Sequence, residues 1–382
     1  MIDLQLLVQN VGGLAAHRIP SAVAQRSSCD MYGFVETMLA DDTVTSIEPL
    51  LPGYTVWHCV RPRPDRGRPH GGISVFVKRG CALLNSPGFR VTPDPAAGIM
   101  WVQVPAYQLT VAVCYFSPAG SAVYDSGLVH PDPGSVLFEG LREAEGRGHK
   151  HLVLGDLNIR IGRMFSDVPC MAVPPALQEP TTLPNLHHYA QVPQSRSSMD
   201  SLIPCKRRAD TFMEGLFAVS SVVLNGRAPG DSAGSHTCWQ SNADGVVTGR
   251  SVVDLACASV SLFASVGLFE VLPFRPSASK DHSALYVRLS GMAPRHYVAD
   301  SRRRRRVCRP APSAYMSALA QAQPGFAAML RGWRSGSVSV EQAMSQFADL
   351  LVSCAGGPRA RAKSPPPGGN QPWFDAECRT LT

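Results

Sequence analysis

The sequence predicts an α+β domain built as a layered sandwich, in which two packed, mostly antiparallel β-sheets are flanked by helices. Two observations indicate this class. Short apolar runs of strand type recur through the first 290 residues, bounded by Gly, Pro, Asn or Asp, whereas helical periodicity occurs in few places. The chain also has 382 residues and 45% hydrophobic content, which is sufficient for one large domain and a smaller appendage.

Strand-like runs are the most frequent element that we predict. They lie at residues 4–8, 31–35, 54–58, 73–77, 100–104, 109–116, 151–154, 252–256 and 283–289. Val, Ile, Leu, Phe and Tyr are common in them, as expected for strands that are buried on at least one face. Two further segments, 136–145 and 211–220, have the spacing of amphipathic helices.

The composition changes near residue 292, where we place the end of the domain. An arginine run at 302–306 follows, then helical stretches near 313–330 and 337–352, and then a Pro-Gly segment at 364–369 that breaks any helix. We therefore predict a domain over residues 1–292 and a basic, partly helical linker over residues 293–382.

Charge and cysteine usage limit the class of protein. The net charge is +7, but seven arginines fall within residues 295–309, so charge alone does not indicate nucleic-acid binding by the domain. The most apolar window, 251–271, contains Asp254 and Glu270, and we expect neither a membrane span nor a secretion signal. Eleven scattered cysteines without a CxxC pair favour reduced thiols and an intracellular location, nuclear or cytoplasmic. No obligate protein partner is evident.

Three motifs at strand ends carry the chemistry. Gly155-Asp156-Leu157-Asn158 ends an apolar strand, and residues two apart share one face, so Asp156 can act as a base while Asn158 orients the same oxygen. Asp281-His282 precedes another strand, where an imidazolium can stabilise a phosphoryl group beside a cation-binding acid. Glu36 ends a third strand and is a suitable ligand for Mg²⁺. Taken singly, each motif also suits an ordinary solvated turn.

The remaining strands add polar residues at their ends. Asn10 follows the first strand, Tyr115 ends the run at 109–116, and Asp254 lies in the run at 252–256. A cap, a half-buried tyrosine and a strand-edge acid would explain them one at a time. Their recurrence at nearly every strand end instead favours a common cleft.

In chain order, these residues resemble the endonuclease/exonuclease/phosphatase superfamily, and more closely the apurinic-endonuclease-like domain of LINE-type non-LTR retrotransposon proteins. The resemblance covers residues 3–290 and implies a deoxyribonuclease-I-like four-layer sandwich. Its motifs are Gln9-Asn10-Val11-Gly12-Gly13-Leu14, Phe34-Val35-Glu36-Thr37, Cys114-Tyr115-Phe116-Ser117-Pro118, Gly155-Asp156-Leu157-Asn158, Leu224-Asn225-Gly226-Arg227, His236-Thr237, Ser251-Val252-Val253-Asp254 and Asp281-His282. Residues 371–379 look like a motif that follows the endonuclease in such elements; no reverse transcriptase follows, and we expect an isolated or truncated remnant.

The resemblance implies metal-dependent hydrolysis of a phosphodiester, with DNA as the partner. Glu36, Asn10 and Asp281 are the implied ligands of Mg²⁺ or Mn²⁺. The implied catalytic groups are Asp156 as base, Asn158 as its guide, His282 oriented by Asp254, and Tyr115 on the phosphate or leaving group. Asn225, Thr237 and Ser251 are the implied substrate-binding residues.

Two positions depart from the family pattern. Gly12 stands where an acid or amide is common, and Lys280 stands where serine often precedes the Asp-His pair. A catalytically decayed nucleic-acid-binding remnant therefore stays open as an alternative. A phosphatase acting on inositol phosphates, lipids or nucleotides also stays open, because it would use the same metal core with different loops. Also open is whether Arg61, in a loop with further arginines and prolines, contacts a DNA backbone or lies in a solvated loop.

Overall fold

A computed structural model describes residues 1–13, 18–39, 51–61, 71–127, 129–164 and 186–294, with a few isolated positions beyond them. The chain divides into two units, Met1–Ala299 and Asp300–Thr382. The predicted arginine run lies outside the described residues, as do nearly all positions of the predicted helices at 313–330 and 337–352. The predicted boundary at residue 292 and the linker beyond it stay predictions.

Strands dominate the first unit. They are β1 (Ile2–Asn10), β2 (Met31–Val35), β3 (Tyr54–Cys59), β4 (Ile73–Lys78), β5 (Arg90–Asp94), β6 (Ile99–Val104), β7 (Leu109–Tyr115), β8 (Lys150–Asp156), β9 (Ser221–Val223), β10 (Cys238–Ser241), β11 (Val247–Ser251), β12 (Asp254–Ser259), β13 (Val266–Val271) and β14 (Leu285–Met292). The helices are α1 (Arg18–Val23), α2 (Pro133–Gly146), α3 (Leu186–Tyr189), α4 (Lys206–Ala218) and α5 (Val260–Phe263). Two short 3₁₀ turns, Pro105–Tyr107 and Ala122–Ser126, connect strands.

The strands form two sheets of six and one hairpin. The first sheet has the order β13-β14-β1-β2-β4-β3, the second has the order β5-β6-β7-β8-β12-β9, and β10 pairs with β11. Neighbouring strands are antiparallel, except that β1 runs parallel to β2 and β7 runs parallel to β8. These two central parallel pairs bring the carboxyl ends of four strands to matching edges of the two sheets.

Three apolar clusters separate four layers. The largest lies between the two sheets and includes Leu6, Val113 and Leu154. A second cluster packs α2 and α4 on the outer face of the second sheet, and a third packs α1 on the outer face of the first. The predicted α+β sandwich of two mostly antiparallel sheets flanked by helices is therefore confirmed.

The central strands are continuously apolar because both of their faces are covered. All seven residues of β7 are buried, as are six of the seven in β8.

Helix α2 begins where Asp132 accepts a hydrogen bond from the backbone N–H of Ser135, and Pro133 stands at its first turn. Among the described residues, no helix is long and apolar enough to cross a membrane.

Candidate active site

The site begins at the adjacent ends of β1 and β2. Asn10, the last residue of β1, is fully buried, and its Nδ2 donates to Oε2 of Glu36 at 2.8 Å and to Oδ2 of Asp156 at 2.9 Å. Glu36 follows β2, whereas Asp156 ends β8 in the other sheet. One amide therefore joins the two sheets and holds two acids close together.

The second sheet places three predicted site residues side by side. Asp156 is the direct cross-strand partner of Tyr115 in the parallel β7–β8 pair and of Asp254 in the antiparallel β8–β12 pair. Asp156 and Asp254 are only 1% and 2% exposed. The two carboxylates consequently lie at one edge of the second sheet, where β8 ends and β12 begins, and away from bulk water.

Asn158 holds Asp156 from the following turn. Its backbone N–H donates to Oδ1 of Asp156 at 2.9 Å, and its Nδ2 contacts Oδ2 of Asp156 at 3.1 Å and the carbonyl oxygen of Phe116 at 2.8 Å. Both Asn158 and Glu36 adopt left-handed backbone conformations, with φ of 49° and 55°. Such conformations cost about 1 kcal/mol each for residues with a side chain and are concentrated at functional sites.

His282 lies between the acids. Its Nδ1 is 2.8 Å from Oδ2 of Asp254, while its Nε2 is 3.6 Å from Oδ1 of Asp281 and 4.0 Å from Oδ2 of Asp156. The side chain of Gln9 donates to the carbonyl oxygen of His282 at 3.0 Å. The ring is therefore held with one nitrogen on a buried acid and the other facing the acidic cluster.

Burial and crowding shift the protonation of these groups. Burial and the charge of Asp254 raise the pKa of Asp156, and burial together with the charges of Asp281 and Asp254 raises the pKa of Glu36. Burial alone would lower the pKa of His282, but the charge and hydrogen bond of Asp254 raise it well above its usual value. The cluster therefore contains more acids than its one imidazolium can neutralise.

This excess of negative charge fits a hard divalent cation, which prefers carboxylate oxygens. Atoms of Asp156, Asp254 and His282 lie within 4.8 Å of one another. Because the hydrogen bond to His282 engages Asp254, and Asn158 donates to both carboxylate oxygens of Asp156, the acids better placed to hold the cation are Glu36 and Asp281. Asn10 directs its nitrogen to the acids, while its oxygen accepts from the N–H of Gly12, so its predicted role as a ligand stays a prediction.

Tyr115 borders the cluster. It is 6% exposed, and burial and then the charges of Glu36 and Asp156 raise the pKa of its phenol. The guanidinium carbon of Arg61 lies 5.2 Å from the centre of its ring. The phenol is thus neutral and sits beside the two acids.

The side chains of two predicted substrate-binding residues, Thr237 and Asn225, form hydrogen bonds with the backbone around Asp254. Oγ1 of Thr237 accepts from the N–H groups of Val253 and Asp254 at 3.1 and 3.0 Å. Asn225 donates to the carbonyl oxygen of Asp254 at 3.2 Å and accepts from the N–H of Ala256 at 2.9 Å. Their predicted contacts with substrate stay predictions.

The third predicted substrate-binding residue, Ser251, lies in a hairpin strand. It ends β11 and pairs with Cys238 of β10, and it directly precedes the predicted strand run at 252–256. The strand that carries Asp254, β12, begins at Asp254 itself, and Val252 and Val253 separate it from the hairpin.

Two residues of the site were missed by the sequence analysis. Gln9 faces His282 from within β1, and Arg61 is buried beside Tyr115 rather than lying on a solvated loop. The other arginines of that loop lie outside the described residues. No local sequence pattern indicates either contact, because each one joins residues that are far apart in the chain.

Comparisons with known proteins give only distant likenesses. No protein-family model matches the chain, and no curated protein matches its sequence. Among solved structures, the chain is similar to a 3'-5' exonuclease (NExo) from Neisseria meningitidis, with 14% identity over 74% of this chain and 98% of that chain, and a TM-score of 0.49. It is also similar to the AP endonuclease LMAP from Leishmania major, with 16% identity over 75% of this chain and 87% of that chain, and a TM-score of 0.49. A truncated TDP2 from Caenorhabditis elegans is a third similar structure, with 12% identity over 75% of this chain and 98% of that chain, and a TM-score of 0.43.

Proposed function

We propose that this chain is a divalent-metal-dependent phosphodiester hydrolase that nicks DNA. The observation that carries the proposal is the single amide of Asn10, which holds Glu36 and Asp156 together across two sheets while His282 faces Asp156 and Asp281. Burying several acids and an imidazole together at strand ends costs free energy, and a bound phosphate and cation would offset that cost.

The acids have the chemistry to hold Mg²⁺ or Mn²⁺. Glu36 and Asp281 are the ligands that we propose, with Asn10 as a further one. When bound, the cation would neutralise charge on the phosphate and polarise its P–O bonds. Its charge would also lower the pKa values of the surrounding acids, which burial raises in its absence.

Asp156 would act as the base for the attacking water. Its carboxylate is buried and held by Asn10 and by both the N–H and the side chain of Asn158. Because its pKa is raised, it accepts a proton more readily than an exposed aspartate does. Asn158 fixes the direction of the carboxylate and hence of the water.

His282 and Tyr115 would bind the phosphate. Asp254 keeps His282 as an imidazolium, so Nε2 carries a proton that it can donate to a phosphate oxygen. The phenol of Tyr115 stays neutral and can donate a second hydrogen bond. These donors would stabilise the charge that builds up as the water attacks.

DNA is the proposed substrate because of the sequence motifs and the hairpin beside the site. The backbone N–H of Trp239 in β10 donates to the carbonyl oxygen of Asp281 at 2.7 Å, and Arg250 of β11 lies 4.9 Å from the Trp239 ring. A cation and an aromatic ring next to the acids suit a long, negatively charged substrate better than a small one.

Nicking of supercoiled plasmid in Mg²⁺, Mn²⁺ or EDTA tests the proposal. We expect metal-dependent nicking by the wild type and at least 100-fold less by Asp156→Ala and His282→Ala. Asp231→Asn is a matched control, since Asp231 is a buried acid whose side chain accepts hydrogen bonds from Gly226 and Ser235. Absence of nicking by folded wild type would reject the endonuclease. Release of phosphate from small phosphate esters would then favour the phosphatase.

One observation favours the catalytically decayed remnant as a second candidate. Gly12 and Lys280, the two departures from the family pattern, are neighbours: a Cβ added at Gly12 would lie 3.5 Å from Cβ of Lys280. A lysine there lowers the local negative charge that a cation requires. Salt-dependent DNA binding without cleavage in either metal would support this candidate, and metal-dependent cleavage would reject it.

We further propose that the domain derives from a non-LTR retrotransposon, which rests on sequence motifs alone. An endonuclease of that origin should nick long DNA repeatedly at one short sequence. Mapping of nicks on a long duplex tests this, and uniformly distributed nicks would contradict it.

A further inference from the structure

Arg61 is a buried cation next to the site. It lies two residues beyond the end of β3 and is 7% exposed. Its Nη2 donates to the carbonyl oxygen of Tyr115 at 2.9 Å, and its Nη1 donates to Oγ of Ser117 at 2.9 Å. With its guanidinium also 5.2 Å from the ring centre of Tyr115, Arg61 connects the first sheet to the end of β7 in the second.

The chain leaves a slot for this side chain. A Cβ added at Gly71 would lie 2.7 Å from Cδ of Arg61, and one added at Gly98 would lie 2.4 Å from its Nη2. Both distances are too short for a real Cβ contact. Glycines in two different connecting segments, before β4 and before β6, thus accommodate the arginine, which indicates a specific position rather than an incidental packing.

In the part of the chain that the structure describes, the charge of Arg61 has no close acid. Among the described residues, no carboxylate lies within ion-pairing distance of it, and its Nε has no hydrogen-bond partner. Burial lowers the pKa of Arg61, and Tyr115, Tyr124, Cys59 and Glu36 counter this, with Glu36 as the one carboxylate among the four. A guanidinium nevertheless stays protonated, and an unpaired buried charge is costly. A phosphate bound beside Tyr115 would supply the missing negative charge.

We propose that Arg61 is a positioning residue: it fixes Tyr115 and Ser117, and its buried charge favours the binding of a phosphate anion beside the Tyr115 phenol. This inference rests on the proposed function, because it assigns Tyr115 to the phosphate. It predicts that Arg61 acts through Tyr115 and that removing both groups costs little more than removing one.

A double-mutant cycle with Arg61→Gln and Tyr115→Phe tests this coupling. We expect Arg61→Gln to lower kcat/KM for nicking about 100-fold and Arg61→Lys to recover part of the loss. In the Tyr115→Phe background, Arg61→Gln should cost less than about fivefold. Arg208→Gln is the matched control, since Arg208 binds the carbonyl oxygens of Ser117 and Leu157 but not Tyr115, and it should change kcat/KM little.

The same cycle is measured on binding of a short labelled DNA duplex in EDTA, with thermal midpoints as a check on folding. Coupled losses of about tenfold in affinity would support the inference even if the wild type cleaves nothing, in which case only the proposed function fails. Additive losses, or equal effects of Arg61→Gln and Arg208→Gln, would overturn the inference while nicking by the wild type is retained. No DNA binding by the wild type would overturn both.

Discussion

The imidazole of His282 and the carboxylate of Asp254 form a buried pair, with Nδ1 of the ring 2.8 Å from Oδ2 of the acid. Thr237 holds the backbone N–H of Asp254, so the acid is fixed independently of the ring. Although burial opposes a charge on His282, Asp254 raises the pKa of the imidazole well above its usual value. The pair therefore presents a protonated Nε2 to the acids around Asp156.

Asp254→Asn should move the alkaline loss of activity to lower pH. The folded-state pKa of His282 is raised, so the imidazolium persists at a pH where a free histidine, with a pKa of about 6.5, is neutral. An amide does not stabilise that charge, and we expect kcat to fall about 100-fold at about pH 8 and less at about pH 6. The measurement is a pH–rate profile, with Asp231→Asn as control. A profile of unchanged shape would contradict the role of the pair.

Asp156→Asn should abolish nicking yet stabilise the metal-free protein at about pH 8. Burial and Asp254 raise the pKa of Asp156 to about 7, against about 3.9 in the unfolded chain. The stability contributed by this group is therefore fully present below about pH 4 and is lost as the pH rises through about 7.

Calorimetry in EDTA checks this stability effect. The gain in Tm of the Asp156→Asn variant over the wild type should be larger at about pH 8 than at about pH 5. Mg²⁺ should raise the Tm of the wild type more than that of the variant, because it binds the ionised acids. A lower Tm of the variant at about pH 8 would show that Asp156 stabilises the fold.

Thr237→Val should lower stability by about 1–2 kcal/mol, because it leaves the N–H groups of Val253 and Asp254 without their acceptor. We expect kcat to fall with KM unchanged, since the hydroxyl positions Asp254. Thr237→Ser keeps the hydroxyl and is the matched control. A rise in KM with an unchanged denaturant midpoint would instead support the predicted contact of Thr237 with substrate.

Gly155→Ala should destabilise the fold by more than about 2 kcal/mol. Gly155 has φ of 144°, and an added Cβ would lie 2.0 Å from the carbonyl oxygen of Cys114 in β7. Either β7 and β8 separate there or the turn to Asp156 changes, so nicking should fall as well. Gly146→Ala, at the end of α2 with open space around it, should be nearly neutral. Urea midpoints of both variants check the prediction, and equal midpoints for Gly155→Ala and Gly146→Ala would contradict it.

Most of the strands could be predicted from the sequence, because their residues are apolar wherever they pair. The predicted runs at 31–35, 73–77 and 109–116 lie within one residue of β2, β4 and β7. The strands that were missed include β5, which contains Pro93 and is largely exposed, and the polar hairpin β10–β11. Those segments become strands only because a neighbour offers hydrogen bonds, which local composition does not record.

The sequence by itself determined the residue types of the site and their positions at strand ends, because alternating burial and strand termination are local properties. Only the tertiary structure decided which of them meet. Asn10 reaches Asp156 across 146 positions and Gln9 reaches His282 across 273, through strand pairings that periodicity alone does not specify. Burial was decided at the same level, and it raises the pKa values of the acids and places Arg61 beneath Tyr115.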